Sequence, residues 1–166
     1  MNERFVKEIL SPINAEIMRN FSKAAEKFVQ MYCRALVAVV RAIEAKYGTE
    51  GKEIARQGFL AELTSRAEQA EAEEGKGDVQ TFCENLEKAC MFTHEWERVI
   101  DEKDKVAYHF TKCMWAEEFL KLGAPDIGKW LCDTDPLAAK AEKLKFERTK
   151  TIIDGDELCD HVFYVE

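Results

Sequence analysis

Apolar residues recur at three- and four-residue steps through the first third of the chain. Ile17, Phe21, Phe28, Met31, Tyr32, Ala35, Leu36, Val39, Ile43 and Tyr47 fall on one side of a helix. Ser11-Pro12 supplies its start, with Ser as the N-cap and Pro in the first turn, and Gly48 supplies its end. A second helix is predicted from about 50 to about 73 on Ile54, Phe59, Leu60 and Leu63. The acidic stretch EAEEGKGD interrupts the pattern. A third helix follows from about 78 to about 91, carrying Phe82, Cys83, Leu86 and Cys90.

Beyond residue 92 the period changes from 3.6 to 2. HEWERVI reads as a strand, DEKD as a turn and KVAYHFTKC as the returning strand, with Val106, Tyr108 and Phe110 on one face and Ala107, His109 and Thr111 on the other. MWAEEFLKLG then reads as a helix. A short helix opens near Ala124-Pro125 and runs to Cys132, and Pro136 opens another to about Lys143. A second hairpin closes the chain: KLKFERTKTII, a turn at Asp154-Gly155, and ELCDHVFYVE. With a two-residue loop, cross-strand partners sum to 309, so Arg148 faces His161 and Thr149 faces Asp160. The fold class is therefore α+β: N-terminal antiparallel helices (residues 1–92) packed with a C-terminal antiparallel sheet of about four strands and short connecting helices (93–166), as one compact domain. No β-α-β alternation with glycine-rich loops is present, which argues against a Rossmann or P-loop fold.

The 166 residues are 46% hydrophobic, enough for a core, and carry a net charge of −8. That charge argues against nucleic acid or an anionic membrane surface as partner. No apolar run approaches the roughly 20 residues of a spanning helix, and MNERFVKEIL contains no cleavable apolar region, so a cytoplasmic location is expected. The expected partner is a small molecule. The Ile17–Tyr47 stripe suits either a homo-oligomer or packing on the sheet.

In a reducing compartment the six cysteines are thiols, and none forms a C-x-x-C pair. Cys113 falls at a strand-to-helix junction, where backbone N–H groups and the helix dipole favour a thiolate; a small buried hydrophobe is the alternative. His109 lies four residues upstream on the strand. Cys132-Asp133-Thr134-Asp135-Pro136 offers Asp135 as an N-cap or an acid, and Asp133 as general acid, metal ligand or surface carboxylate. The final hairpin gathers Arg148, Thr149, Cys159, Asp160 and His161 in one patch. Arg148 is able to fork onto a carboxylate, and an exposed cross-strand polar set is the alternative. Cys113, Cys132 and Cys159 with His161 or His109 would make a Cys3His zinc set, but one drawn from distant segments, so no metal or other cofactor is assigned.

The stretches VAYHFTKCMWAEEFLKLGAPDIGKWLCDTDP and FERTKTIIDGDELCD resemble the L-2-amino-thiazoline-4-carboxylate hydrolase family. The family's pattern has a Cys after a strand, Cys-x-x-Asp before a polar helix, an Arg-Thr strand and a Gly-Asp-x-x-Cys-Asp ending. Here these fall on Cys113, on Cys132 and Asp135, on Arg148 and Thr149, and on Gly155, Asp156, Cys159 and Asp160. His161 stands where the family has an aromatic residue. YGTEGKEIARQGF is similar to the helical N-terminal half. The resemblance implies hydrolysis of a carbon–nitrogen bond in a cyclic amidine, opening a 2-aminothiazoline ring. Cys113, Cys132 or Cys159 would be the nucleophile and Asp133, Asp135 or Asp160 the acid or base, with Arg148, Thr149, His109 and His161 around the substrate. The same inventory would serve a binding or sensor module without turnover, or a zinc-stabilised scaffold.

Overall fold

The computed structural model describes residues 12–72, 75 and 77–165. Helix α1 spans Pro12–Ala72, α2 Val79–Cys90, α3 Met114–Lys121, α4 Pro125–Cys132 and α5 Thr134–Ala141. The strands are β1 His94–Glu102, β2 Lys105–Cys113, β3 Lys145–Arg148 and β4 Cys159–Tyr164. The α+β class read from the sequence is the observed one. The expected cap at Ser11 and the expected helix end at Glu73 lie outside the described residues.

Helix α1 is two arms joined at Gly48, whose φ of 70° and ψ of −162° suit a residue without Cβ. Asp126, in the first turn of α4, holds the two arms together. It accepts from Arg41 of the first arm, Nη2 to Oδ1 at 2.8 Å, and from Lys52 of the second. A carboxylate in that turn also meets the positive end of the α4 dipole. No helix among the described residues is long and apolar enough to cross a membrane.

The sheet is antiparallel with strand order β1-β2-β4-β3, so the two hairpins join through their second strands. Arg148 pairs with His161 and Lys145 with Tyr164, the expected register. The expected two-residue turn at Asp154-Gly155 is not formed. Strand β3 stops at Arg148, and a 3-10 turn, Ile152–Asp154, fills the connection with Gly155 left-handed at φ 99°. Side chains replace the missing ladder. Asp160 accepts from the Thr149 and Lys150 amides, and Asp156 from the Thr151 amide. Short polar side chains compete effectively with strand pairing in this way.

The core has two parts. Val79, Cys83, Val106, Tyr108 and Phe163 pack between α2 and the sheet; Val29, Cys33, Val40, Phe119, Ile127 and Trp130 pack where α1 meets α3 and α4. Cys33 and Cys83 are buried apolar members of these clusters. Gly128 of α4 sets the closest approach in the second. A Cβ there would lie 2.8 Å from Phe119 Cβ and 2.9 Å from Ile153 Cδ1. Gly128→Ala should therefore cost about 1–3 kcal/mol through overpacking. Thermal unfolding followed by circular dichroism should show Tm falling by several degrees; an unchanged Tm would mean the contact relaxes freely.

Candidate functional site

Between the two cores lies a cavity of about 510 Å³. Strand β2 ends in it with Cys113. That residue is also the N-cap of α3, and its Sγ accepts from the Ala116 amide at 3.4 Å. The junction geometry expected for Cys113 is thus present. Helix α4 ends at the wall with Cys132, and α5 begins there with Thr134 and Asp135. Strand β4 contributes Cys159 and His161, which point to the same face by alternation, and β3 ends with Arg148. The Cys159 Sγ accepts from the Ile152 amide at 3.2 Å.

Arg148 reaches Asp135 through Nη1 to Oδ2 at 2.7 Å, and both Nη atoms approach the Cys132 carbonyl at 3.3 Å. Its guanidinium lies over the Phe146 ring at 5.5 Å. Asp135 is pushed up to about 7 because burial penalises its charged form, and Arg148 offsets only part of this. His161 Nε2 stands 3.8 Å from Asp135 Oδ2 and has no hydrogen-bond partner among the described residues. Burial holds His161 down at about 3, with the Arg148 charge adding to the effect, so the ring is neutral near pH 7.

Of the readings open for the two carboxylates, the structure places Asp133 at the surface and Asp135 in the cavity. Asp133 precedes α5 without a side-chain cap bond and pairs with Arg56, Nη2 to Oδ2 at 2.6 Å, outside the cavity. Asp135 lines the cavity in the first turn of α5. His109, Asp160 and Thr149 are also outside it. His109 and Asp160 are cross-strand neighbours on the opposite face of the sheet, and Asp160 is occupied with Thr149 and Lys150 in the loop. The cavity residues that the sequence reading passed over are Cys90, Thr93, His94 and Thr134. Cys90 read as one more apolar helix position and His94 as a strand's first residue. The change of period between them was the available signal that a junction falls there. Thr93 Oγ1 lies 2.9 Å from His94 Nδ1, and burial lowers His94 to about 4.

Among the described residues no three His, Cys, Asp or Glu side chains are placed to share a metal ion. All six cysteines are free thiols. Burial raises Cys90 and Cys132 to about 12 and Cys113 to about 11, and it raises Cys159 as well. The backbone N–H groups at Cys113 pull the other way without overcoming desolvation.

Taken together, the fold and cavity define a small α+β protein with a thiol-lined ligand pocket holding one acid and one guanidinium. The family model for L-2-amino-thiazoline-4-carboxylic acid hydrolase matches residues 7–163, and the chain belongs to that family. A search of curated proteins found no match. Among solved structures, the chain is similar to trafficking protein particle complex subunit 3 from Naegleria fowleri, which is covalently bound to palmitic acid in that structure. The two are 14% identical with a TM-score of 0.40, over 87% of this chain and 96% of that one. A likeness of that size says nothing about what this chain binds.

With thiol pKa values near 11–12, alkylation of the empty cavity by iodoacetamide at pH 7 should be slow. For Cys113, Cys90 and Cys132 the thiolate fraction is roughly 300- to 3,000-fold below that of a free cysteine near pKa 8.5. Mass spectrometry of the labelled peptides should show Cys90, Cys113, Cys132 and Cys159 all lagging free cysteine and gaining rate above about pH 9. Rapid modification of any one at pH 7 would mean that its environment is polar.

Proposed function

We propose that the protein hydrolyses a small cyclic amidine bearing a carboxylate, opening the ring at the amidine carbon. One observation carries the reading: Cys113, Cys132, Cys159, Asp135 and Arg148, drawn from five elements, border a single cavity. Membership of a hydrolase family named for such a ring supports the reaction class.

Arg148 receives the substrate carboxylate, and Cys113 is the nucleophile. A resting thiol near 11 needs a proton acceptor, and the basic amidine is one. Transfer of the Cys113 proton to it creates a thiolate beside an amidinium, a pair that attracts strongly in a low-dielectric cavity. The sulfur adds to the amidine carbon. The adduct then breaks a ring bond, and the departing nitrogen takes the proton of Asp135, whose pKa near 7 leaves it partly protonated at neutral pH. The Asp135 carboxylate next removes a proton from water as the water oxygen adds to the same carbon. Collapse expels the Cys113 sulfur, which takes up the hydroxyl proton as the carbonyl forms. Thiol and acid are restored, and one water has been consumed.

A ring nitrogen needs the Asp135 proton in order to leave; a ring sulfur does not. A ring-opened product without a free thiol is therefore the expected outcome with 2-aminothiazoline-4-carboxylate. A product bearing a free thiol would move the scissile bond to carbon–sulfur and take Asp135 out of that step. Cys113→Ala should abolish turnover while retaining binding, and Asp135→Asn should slow it about 10²–10⁴-fold. Because the acid form is required, kcat/KM should fall as pH rises through about 7. A profile that rises there would assign Asp135 as a base alone.

The uniformly raised thiols favour a second reading, a binding module without turnover. In that case 2-aminothiazoline-4-carboxylate would shift the melting temperature, Arg148→Gln would remove the shift, and no product would form.

A further inference from the structure

The cavity is larger and more apolar than the proposed head group requires. The aminothiazoline carboxylate has nine heavy atoms. That is small for a cavity of about 510 Å³, a volume in the range that ordinarily encloses a drug-sized ligand. The charged groups, Arg148 and Asp135, come from the end of β3 and the α4–α5 junction, with His161 of β4 beside them; Thr93 and His94 add polar atoms at the start of β1. Much of the remaining wall is aromatic or aliphatic. Phe28 comes from α1, Leu86 from α2, Phe92 from the α2–β1 connection and Trp115 from α3. Phe28 meets Trp115 edge-on at 6.1 Å, and Phe92 stacks on Phe21 at 5.9 Å. Phe28 and Phe21 are 53% and 57% exposed, so this end of the cavity opens onto the apolar stripe of α1. An aromatic wall continuous with an exposed apolar surface is suited to an apolar group more than to a compact polar ring.

We propose that the natural substrate has two parts: a carboxylated cyclic head held at Arg148 and Asp135, and an apolar tail lodged against Phe28, Phe92 and Trp115. The head assignment rests on the hydrolase reading above; the tail rests on the cavity alone. Transfer of the tail from water supplies binding energy at a distance from the reacting carbon. Such remote binding energy is available to orient the ring against Cys113.

The test has a binding arm and a turnover arm, both on the full chain. In the first, straight-chain carboxylates from butanoate to decanoate are titrated calorimetrically. Affinity should rise about fourfold per methylene until the volume is filled. Arg148→Gln should weaken every member alike, and Phe28→Ala, at a half-exposed position, should flatten the slope. In the second, 2-aminothiazoline-4-carboxylate is compared with the same ring bearing a hexyl group at carbon 5, and kcat/KM should be at least tenfold higher for the alkylated ring. A flat length series together with equal turnover of the two rings would overturn the tail and leave the hydrolase reading standing. A steep series lost in Phe28→Ala, with neither ring opened, would support the tail and overturn the hydrolase reading.

Discussion

The contact between Arg148 and Asp135 joins the last residue of β3 to the first turn of α5 inside a cavity whose other walls are mostly apolar. Two ions brought out of water repay their desolvation only when their geometry is good and their remaining hydrogen bonds are met. Here Arg148 also holds the Cys132 carbonyl at the end of α4. One guanidinium therefore fixes the sheet edge against the α4–α5 junction, and with it the positions of Cys132, Asp135 and His161 relative to Cys159. The Lys129–Asp154 ion pair adds a second polar link, between α4 and the β3–β4 connection.

The pair is incomplete on the acid's side. Burial raises Asp135 to about 7, and His161, its neighbour at 3.8 Å, stays neutral. The acid is thus able to give or take a proton without unfolding anything. The thiols are kept protonated by the same apolar surroundings. On the mechanism proposed above, a basic substrate would supply the proton acceptor that such protonated thiols need.

Much of this was legible in the sequence, for identifiable reasons. The register of the last hairpin follows from alternation: Phe146, Arg148, His161 and Phe163 share a face, and a one-residue slip would turn all four outward. The Cys113 junction was legible because the 2-residue period gives way to a helix at that residue. The loop between β3 and β4 was not. Asp154-Gly155 is a strong turn signal, but Asp156 and Asp160 also captured nearby backbone amides, and nothing in their spacing announced it. The choice between Asp133 and Asp135 was open in the sequence for a similar reason. Which of two carboxylates two residues apart faces inward depends on where α5 starts, and that is set by packing against β3 and α1. The partner that draws Asp133 outward, Arg56, is 77 residues away in sequence.

The charge balance of the cavity argues for the sign of its ligand. At neutral pH the thiols, His94 and His161 are uncharged, and burial favours the protonated form of Asp135 beside the Arg148 guanidinium. Arg148 is therefore incompletely neutralised in an apolar setting, within a protein whose overall charge is −8. An anion entering the cavity completes the neutralisation of Arg148 and favours the proton on Asp135, since two negative charges beside one guanidinium repel. Binding of a carboxylate and protonation of the acid are then one linked event. On the proposed reaction, an arriving carboxylate head group would supply that negative charge and with it the proton taken by the departing ring nitrogen.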